Sequence, residues 1–146
     1  MPVDKITKFL DENDCHYEIV NHRPVYTAQE AAAESHVTGR HFAKVVMVRV
    51  DDRLALAVVP ATRQVDLERL AKSVGAKSAD LATEEEFEAQ FPQCETGAMP
   101  PFGNLFGMET FVSPQLTQAE EIVFNAGTHS ESMRLRYADF ERLVKP

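Results

Sequence analysis

Between residues 4 and 13 the apolar side chains Ile6, Phe9 and Leu10 recur at helical spacing among charged neighbours, which predicts an amphipathic helix ending at Asn13-Asp14. Tyr17 to Val20 reads as a short strand before the corner His22-Arg23-Pro24. Thr27 and Glu30 have the spacing of a capping box, so the alanine-rich stretch after them should be a helix to about His36, stopping before Gly39. Residues 43–50 and 54–59 are apolar and β-branched on both sides of Asp51-Asp52-Arg53, the pattern of a hairpin with largely buried strands. Asp66 can cap a short helix through Ser73, and Thr83 with Glu86 repeats the capping-box spacing ahead of Phe87 and Phe91. Residues 92–107 hold three prolines and three glycines, which predicts a structured loop. Strands follow at 110–112 and 121–125, Met133, Leu135 and Tyr137 alternate with Ser132, Arg134 and Arg136, and 139–144 closes with a helix. This order lacks strict βαβ alternation and predicts an α+β fold with a mixed, strongly curved sheet.

A chain of 146 residues fits one domain, 1–146, and no repeat, linker or low-complexity tract divides it. The start carries Asp4 where a secretory signal would be basic and then apolar, and the longest apolar run, Leu54 to Ala61, is too short for a membrane span. Cys15 and Cys94 stand far apart with no CxxC spacing, so a reducing cytoplasm is the expected compartment. The formal net charge of −8, from 15 Lys+Arg against 23 Asp+Glu, argues against coating a nucleic acid backbone, and DNA is not an expected partner. A small local contact with a nucleic acid stays open. Basic residues gather as Arg40, His41, Lys44 and Arg49, and again as Arg134, Arg136, Arg142 and Lys145.

Three features could carry chemistry. Lys44 opens the run Ala43 to Val48 and, in a strand, shares a face with Val46 and Val48; such a lysine either snorkels to water or grips a phosphate or carboxylate. The loop Glu95 to Gly103 combines Gly97, which permits positive φ and close approach, with Pro100 and Pro101, which stiffen the exit; it is either a rigid turn or a set of fixed amides for a developing negative charge. Asn125 to Ser130 follows an apolar strand, where His129 is either an exposed turn histidine or a group that orients a ligand or water. No HExxH, ligand-spaced histidine cluster or GxSxG elbow occurs, so neither a metal nor another cofactor is expected, and the two cysteines read as incidental thiols.

His22-Arg23-Pro24 with Thr27 to Ala32, Ala43-Lys44-Val45-Val46, Val58-Val59-Pro60, Val65-Asp66-Leu67, the Gly97 to Gly103 loop and Asn125-Ala126-Gly127 together resemble the YbaK family, from about Tyr17 to Leu143. These are aminoacyl-tRNA deacylases similar to the editing domain inserted in bacterial prolyl-tRNA synthetase. The resemblance implies a curved, barrel-like mixed sheet flanked by helices, no metal, and hydrolysis of the ester that joins a wrongly chosen small amino acid to the end of a tRNA, with tRNA-Pro one candidate. It implies that Lys44 and Gly97 are catalytic, the first clamping the terminal phosphate or ribose and the second belonging to a GxxxP loop whose amides face the oxyanion or water. By the same resemblance Thr27, Val46, Ala98, Met99, Pro100, Pro101, Asn125, Gly127 and His129 border the substrate. The expected partner is the tRNA acceptor end, with an aminoacyl-tRNA synthetase as an optional second one. Lys44 is followed by Val45 where alanine-editing members carry Asn, so the amino acid removed is left open. The competing expectation is a module that binds a nucleotide, an aminoacyl-tRNA or a synthetase without turnover.

Overall fold

A computed structural model describes residues 4–25, 27–35, 39–87, 90–91, 94 and 98–144. Helix α1 (Asp4–Glu12) buries Ile6 and Leu10 completely, and the chain reverses through Asp14 at φ 52° into β1 (Tyr17–Asn21). Helix α2 (Ala28–Glu34) begins with one half of the expected capping box: the Thr27 hydroxyl accepts from the Glu30 amide at 3.1 Å, and the Glu30 carboxylate accepts from that hydroxyl at 2.9 Å. It ends at Glu34 with Ser35 as C-cap; the expected end, His36, lies outside the described residues. Strands β2 (Ala43–Val50) and β3 (Arg53–Pro60) form the expected hairpin, tightened by Asp51 at φ 54°, whose carboxylate accepts from the amides of Lys77 and Ser78. Helix α3 (Leu67–Ser73) is capped by Asp66 as expected.

Strand β4 (Ala79–Leu81) was not expected, because three residues at a sheet edge show no alternation; it pairs with Val48 to Val50. The short α4 (Glu84–Phe87) is followed by β5 (Glu109–Val112), β6 (Glu121–Thr128), β7 (Glu131–Arg136) and α5 (Tyr137–Val144). Tyr137 therefore starts the last helix instead of ending the strand. Its ring is buried all the same, since the first turn of α5 points it into the core that Leu135 already fills.

The strands form two sheets, ordered β1-β7-β6 and β4-β2-β3-β5, antiparallel throughout except for the parallel β3/β5 pair. They do not close into a barrel. One parallel bridge, Phe42 to Val123, joins them. Alternation sends Ala43 and Val58 from one sheet, and Ile122, Phe124, Met133 and Leu135 from the other, into a shared core with Ile6, Leu10, Phe102 and Phe140. Phe102 meets Phe9, Phe124 and Phe140 edge to face at 6.2, 5.4 and 5.7 Å, and burying such a ring contributes roughly 2 to 3 kcal/mol. The next residue must be glycine, because a Cβ on Gly103 would stand 2.7 Å from the Met108 carbonyl oxygen.

On the opposite face of β2, α2 packs Ala31 and Ala32 against Phe42 and Val123, while Leu67 and Leu70 of α3 and Val65 before it pack against the patch of Val48, Ala55 and Ala57. Position 44 lies between these two satellite cores.

Candidate active site

Lys44 lies on β2 between Phe42, held by the α2 cluster, and Val46, held by the α3 cluster, so its side chain leaves the sheet where neither helix covers it. It is half-buried, and its ammonium donates to the Arg63 carbonyl at 2.7 Å. A backbone carbonyl in the turn after β3 thus aims it, a partner that neither alternative for this lysine included. An ammonium has three donors, so two remain for a ligand. Desolvation holds its pKa below the ordinary lysine range.

The Phe42–Val123 bridge aligns β2 and β6, and two residues beyond it on each strand stand Lys44 and Asn125, both on the face of the bridge pair. Past that point the two strands no longer pair with each other. Ala98 takes up the edge of β6 there, its carbonyl accepting from the Gly127 amide at 3.0 Å. Gly127 has φ 99°, a conformation costly for any side chain, and it lies where the β6/β7 register shifts between Asn125 and Thr128. The Asn125 side chain is half-buried and hydrogen-bonds to no described residue, so its amide is available.

The structure thus brings Lys44, Asn125, Gly127 and Ala98 to one junction. Val46 shares the lysine's face, one pleat further along β2. Met99 goes to the other side of β2, packed in the cluster of Met47, Leu56, Phe87 and Phe91, while Pro100 and Pro101 are buried. Thr27 is committed to the helix cap. His129 is only 9% exposed, which removes the exposed-turn alternative, and its carbonyl accepts from Val25. Gly97 lies outside the described residues.

Several polar groups escaped the sequence-based expectations. Ser35 donates to Ser132 at 2.9 Å, Ser132 donates to Nε2 of His22 at 2.9 Å, and Nδ1 of His22 donates to the Arg23 carbonyl, a chain that ties the C-cap of α2 to β7. Glu131 is 4% exposed and accepts from the Thr128 hydroxyl at 3.1 Å. No spacing rule links residues 22, 35 and 132, and of the three only His22 belongs to a motif of the family resemblance. The basic groups also separate. Arg49 pairs with Glu86, Arg134 with Glu18 and Arg142 with Asp139, whereas Arg40 and His41, on the 3-10 turn just ahead of β2, and Arg136 make no ion pair among the described residues; Lys145 lies outside them. A surface depression of about 820 Å³ at the hairpin turn, lined by Arg49, Asp51, Arg53, Phe106 and Met108, contains none of the candidate residues.

Burial raises the Cys15 thiol and pushes the Cys94 thiol up to about 11, so both are protonated at neutral pH and neither is an activated nucleophile. If the chain carries out the ester hydrolysis that the resemblance implies, the double variant Cys15→Ala, Cys94→Ala should keep its rate within about threefold of wild type, roughly 0.7 kcal/mol of barrier. Loss of turnover in a variant that stays folded by circular dichroism would assign chemistry to a thiol.

A family model of the aminoacyl-tRNA editing domain matches residues 22–143. The chain is 30% identical over 148 residues to the multifunctional Ser/Thr-tRNA deacylase ProXp-y of Escherichia coli (strain K12), covering 97% of this chain and 87% of that protein. It is 25% identical over 142 residues to the prolyl-tRNA editing protein ProX of Acetoanaerobium sticklandii, covering 93% and 86%. The crystal structure of a candidate trans-editing enzyme for prolyl-tRNA synthetase superposes with a TM-score of 0.83 at 20% identity, over 97% of this chain and 90% of that one. A hypothetical protein of known structure superposes at 0.86 and 15% identity, over 97% and 95%. With the match spanning the corner at His22, Lys44 on β2, the Ala98 to Pro101 loop and His129, this chain belongs to the aminoacyl-tRNA editing domain family.

Proposed function

We propose that this chain hydrolyses, in trans, the ester between a small hydroxyl-bearing amino acid and the end of a tRNA, with Lys44 as its principal substrate-holding group. The chain is an aminoacyl-tRNA deacylase of the editing family. What supports the assignment of the site is one observation: the Lys44 ammonium, with two donors left over, stands at the point where β2 and β6 part, beside an Asn125 amide that no described residue engages.

An aminoacyl ester is already activated, so positioning and charge suffice. Lys44 holds the terminal phosphate or ribose. Water adds to the ester carbonyl carbon, the oxyanion is met by backbone amides of the Gly97 loop, and the carbon–oxygen bond to the ribose breaks, returning the proton to the ribose oxygen. Among the described residues no side chain at the junction is an evident general base, which fits a substrate whose own ribose hydroxyl helps to place the water. Serine or threonine is favoured as the amino acid removed because the 30% identical relative is a Ser/Thr-tRNA deacylase and because the Asn125 side chain at the junction can pair a hydroxyl. The compartment this implies is the cytoplasm, and no described helix is long and apolar enough to cross a membrane. For so acidic a chain, a partner synthetase would supply part of the tRNA affinity.

The test is a deacylation panel with tRNAs charged with Ser, Thr, Ala, Cys and Pro, including tRNA-Pro mischarged with the small amino acids, run with and without the matching synthetase. Turnover of the Ser and Thr esters at least about tenfold above that of Ala is expected, about 1.4 kcal/mol of discrimination. Saturable binding with no release of any amino acid would replace the deacylase by a binding module.

A further inference from the structure

We propose that residues 39–41 and 61–63 form a phosphate-binding edge that guides the single-stranded end of the tRNA to Lys44, with Arg40 and Arg63 contacting backbone phosphates upstream of the terminal nucleotide. The inference rests on the deacylase reading and names the part of the substrate that the edge holds.

The two segments are locked together. The Ala61 amide donates to both the Gly39 carbonyl at 3.0 Å and the Phe42 carbonyl at 2.9 Å, and a Cβ on Gly39 would lie 2.8 Å from Cγ2 of Thr62. Gly39 thereby lets the 3-10 turn that carries Arg40 press against the turn that carries Arg63. Arg63 also supplies the carbonyl that aims Lys44, which places the edge directly beside the site lysine.

Charge also marks the edge. Segments 39–44 and 61–65 hold Arg40, Lys44, Arg63 and His41 and no acid, in a chain of net charge −8; the next residue, Asp66, is engaged as the cap of α3. Of the seven other arginines, five, at positions 23, 49, 53, 134 and 142, sit against carboxylates, while Arg69 follows Glu68 on α3 and Arg136 stands opposite Glu121 in the β6/β7 register. Arg40 and Arg63 are exposed and, among the described residues, make no ion pair. Their charge is therefore not cancelled locally, and a guanidinium fork suits phosphate oxygens. An edge of two arginines fits a few phosphates of a single strand; it is too small to track a duplex, whose affinity needs many contacts.

Kinetics on two substrates separate the possibilities: a mischarged tRNA, and the same amino acid esterified to adenosine, which has no phosphate. For the double variant Arg40→Ala, Arg63→Ala, KM on the tRNA should rise about tenfold with kcat unchanged, as expected for losing two exposed charge contacts. The slope of log kcat/KM against log salt should become shallower by about 1.4, from about 0.7 per single-strand phosphate contact. The adenosine ester should be hydrolysed as by wild type. An unchanged KM and salt slope on tRNA overturns the edge; an equal loss on both substrates overturns it too, by showing that the variant disturbs Lys44 instead. If the wild type hydrolyses neither substrate, the deacylase reading fails, and binding of uncharged tRNA decides the edge alone: weaker binding by the double variant supports it, and equal binding refutes it.

Discussion

Single-turnover hydrolysis of a mischarged tRNA should fall at least about 100-fold in Lys44→Ala, or about 2.7 kcal/mol of barrier, the loss typical of removing one well-placed donor from a site. Lys44→Arg should restore only part of it. The ammonium is a compact charge aimed by the Arg63 carbonyl at 2.7 Å, and a planar fork on a longer stem cannot satisfy that carbonyl and the same ligand atoms together. Stability should barely change, because the lysine's desolvation cost and its one hydrogen bond offset each other. The pH profile carries the same signature. Burial lowers the folded pKa, and the protonated form is the active one, so enzyme-dependent kcat/KM should decline as pH rises through a value below the ordinary lysine range. In the window between the folded and unfolded values the unfolded chain binds the proton more tightly, so stability rises with pH there, and Lys44→Ala should lose that rise. Hydrolysis by Lys44→Ala at the wild-type rate would reduce the residue to a snorkelling side chain.

Gly127→Val should cost both stability and activity, and the activity more. A β-branched side chain at φ 99° costs on the order of 1 to 3 kcal/mol, which for a chain of this size lowers Tm by roughly 5 °C. The Gly127 amide also holds the Ala98 carbonyl at 3.0 Å, so strain relieved by moving the backbone shifts the Ala98 to Pro101 loop relative to Lys44. Turnover should then drop about 100-fold even where the protein is fully folded, because small misplacements of this kind are costly. The control is Gly75→Val. Gly75 has φ 70° with open space around it and lies in the turn after α3, so its variant should lose stability without losing kcat. Comparable activity losses in the two variants would show that Gly127 matters only as a turn.

The pattern of apolar and polar residues determined most of the local structure. The capping boxes at Thr27 and Thr83, the Asp66 cap, the 43–59 hairpin and the two-residue alternation of 132–136 are short-range features, settled by hydrogen bonds and side-chain periods within a few residues of one another. The motifs around Lys44, Gly97 and Asn125 are likewise legible in the chain, and they point to the editing family without any tertiary contact. Sequence left three matters open that the tertiary structure decided. The Phe42–Val123 bridge, between residues 81 positions apart, sets Lys44 level with Asn125, and nothing local encodes that register. The lysine's partner is a carbonyl, a group every residue carries, so no residue type could have announced Arg63. Which cations keep a free charge depended on where the acids went: Arg49 and Arg134 found carboxylates across the fold, while the junction of residues 39–44 and 61–65 received none. Charge and periodicity are properties of the chain, but cancellation of a charge requires two groups to meet, and only packing brings them within reach of each other.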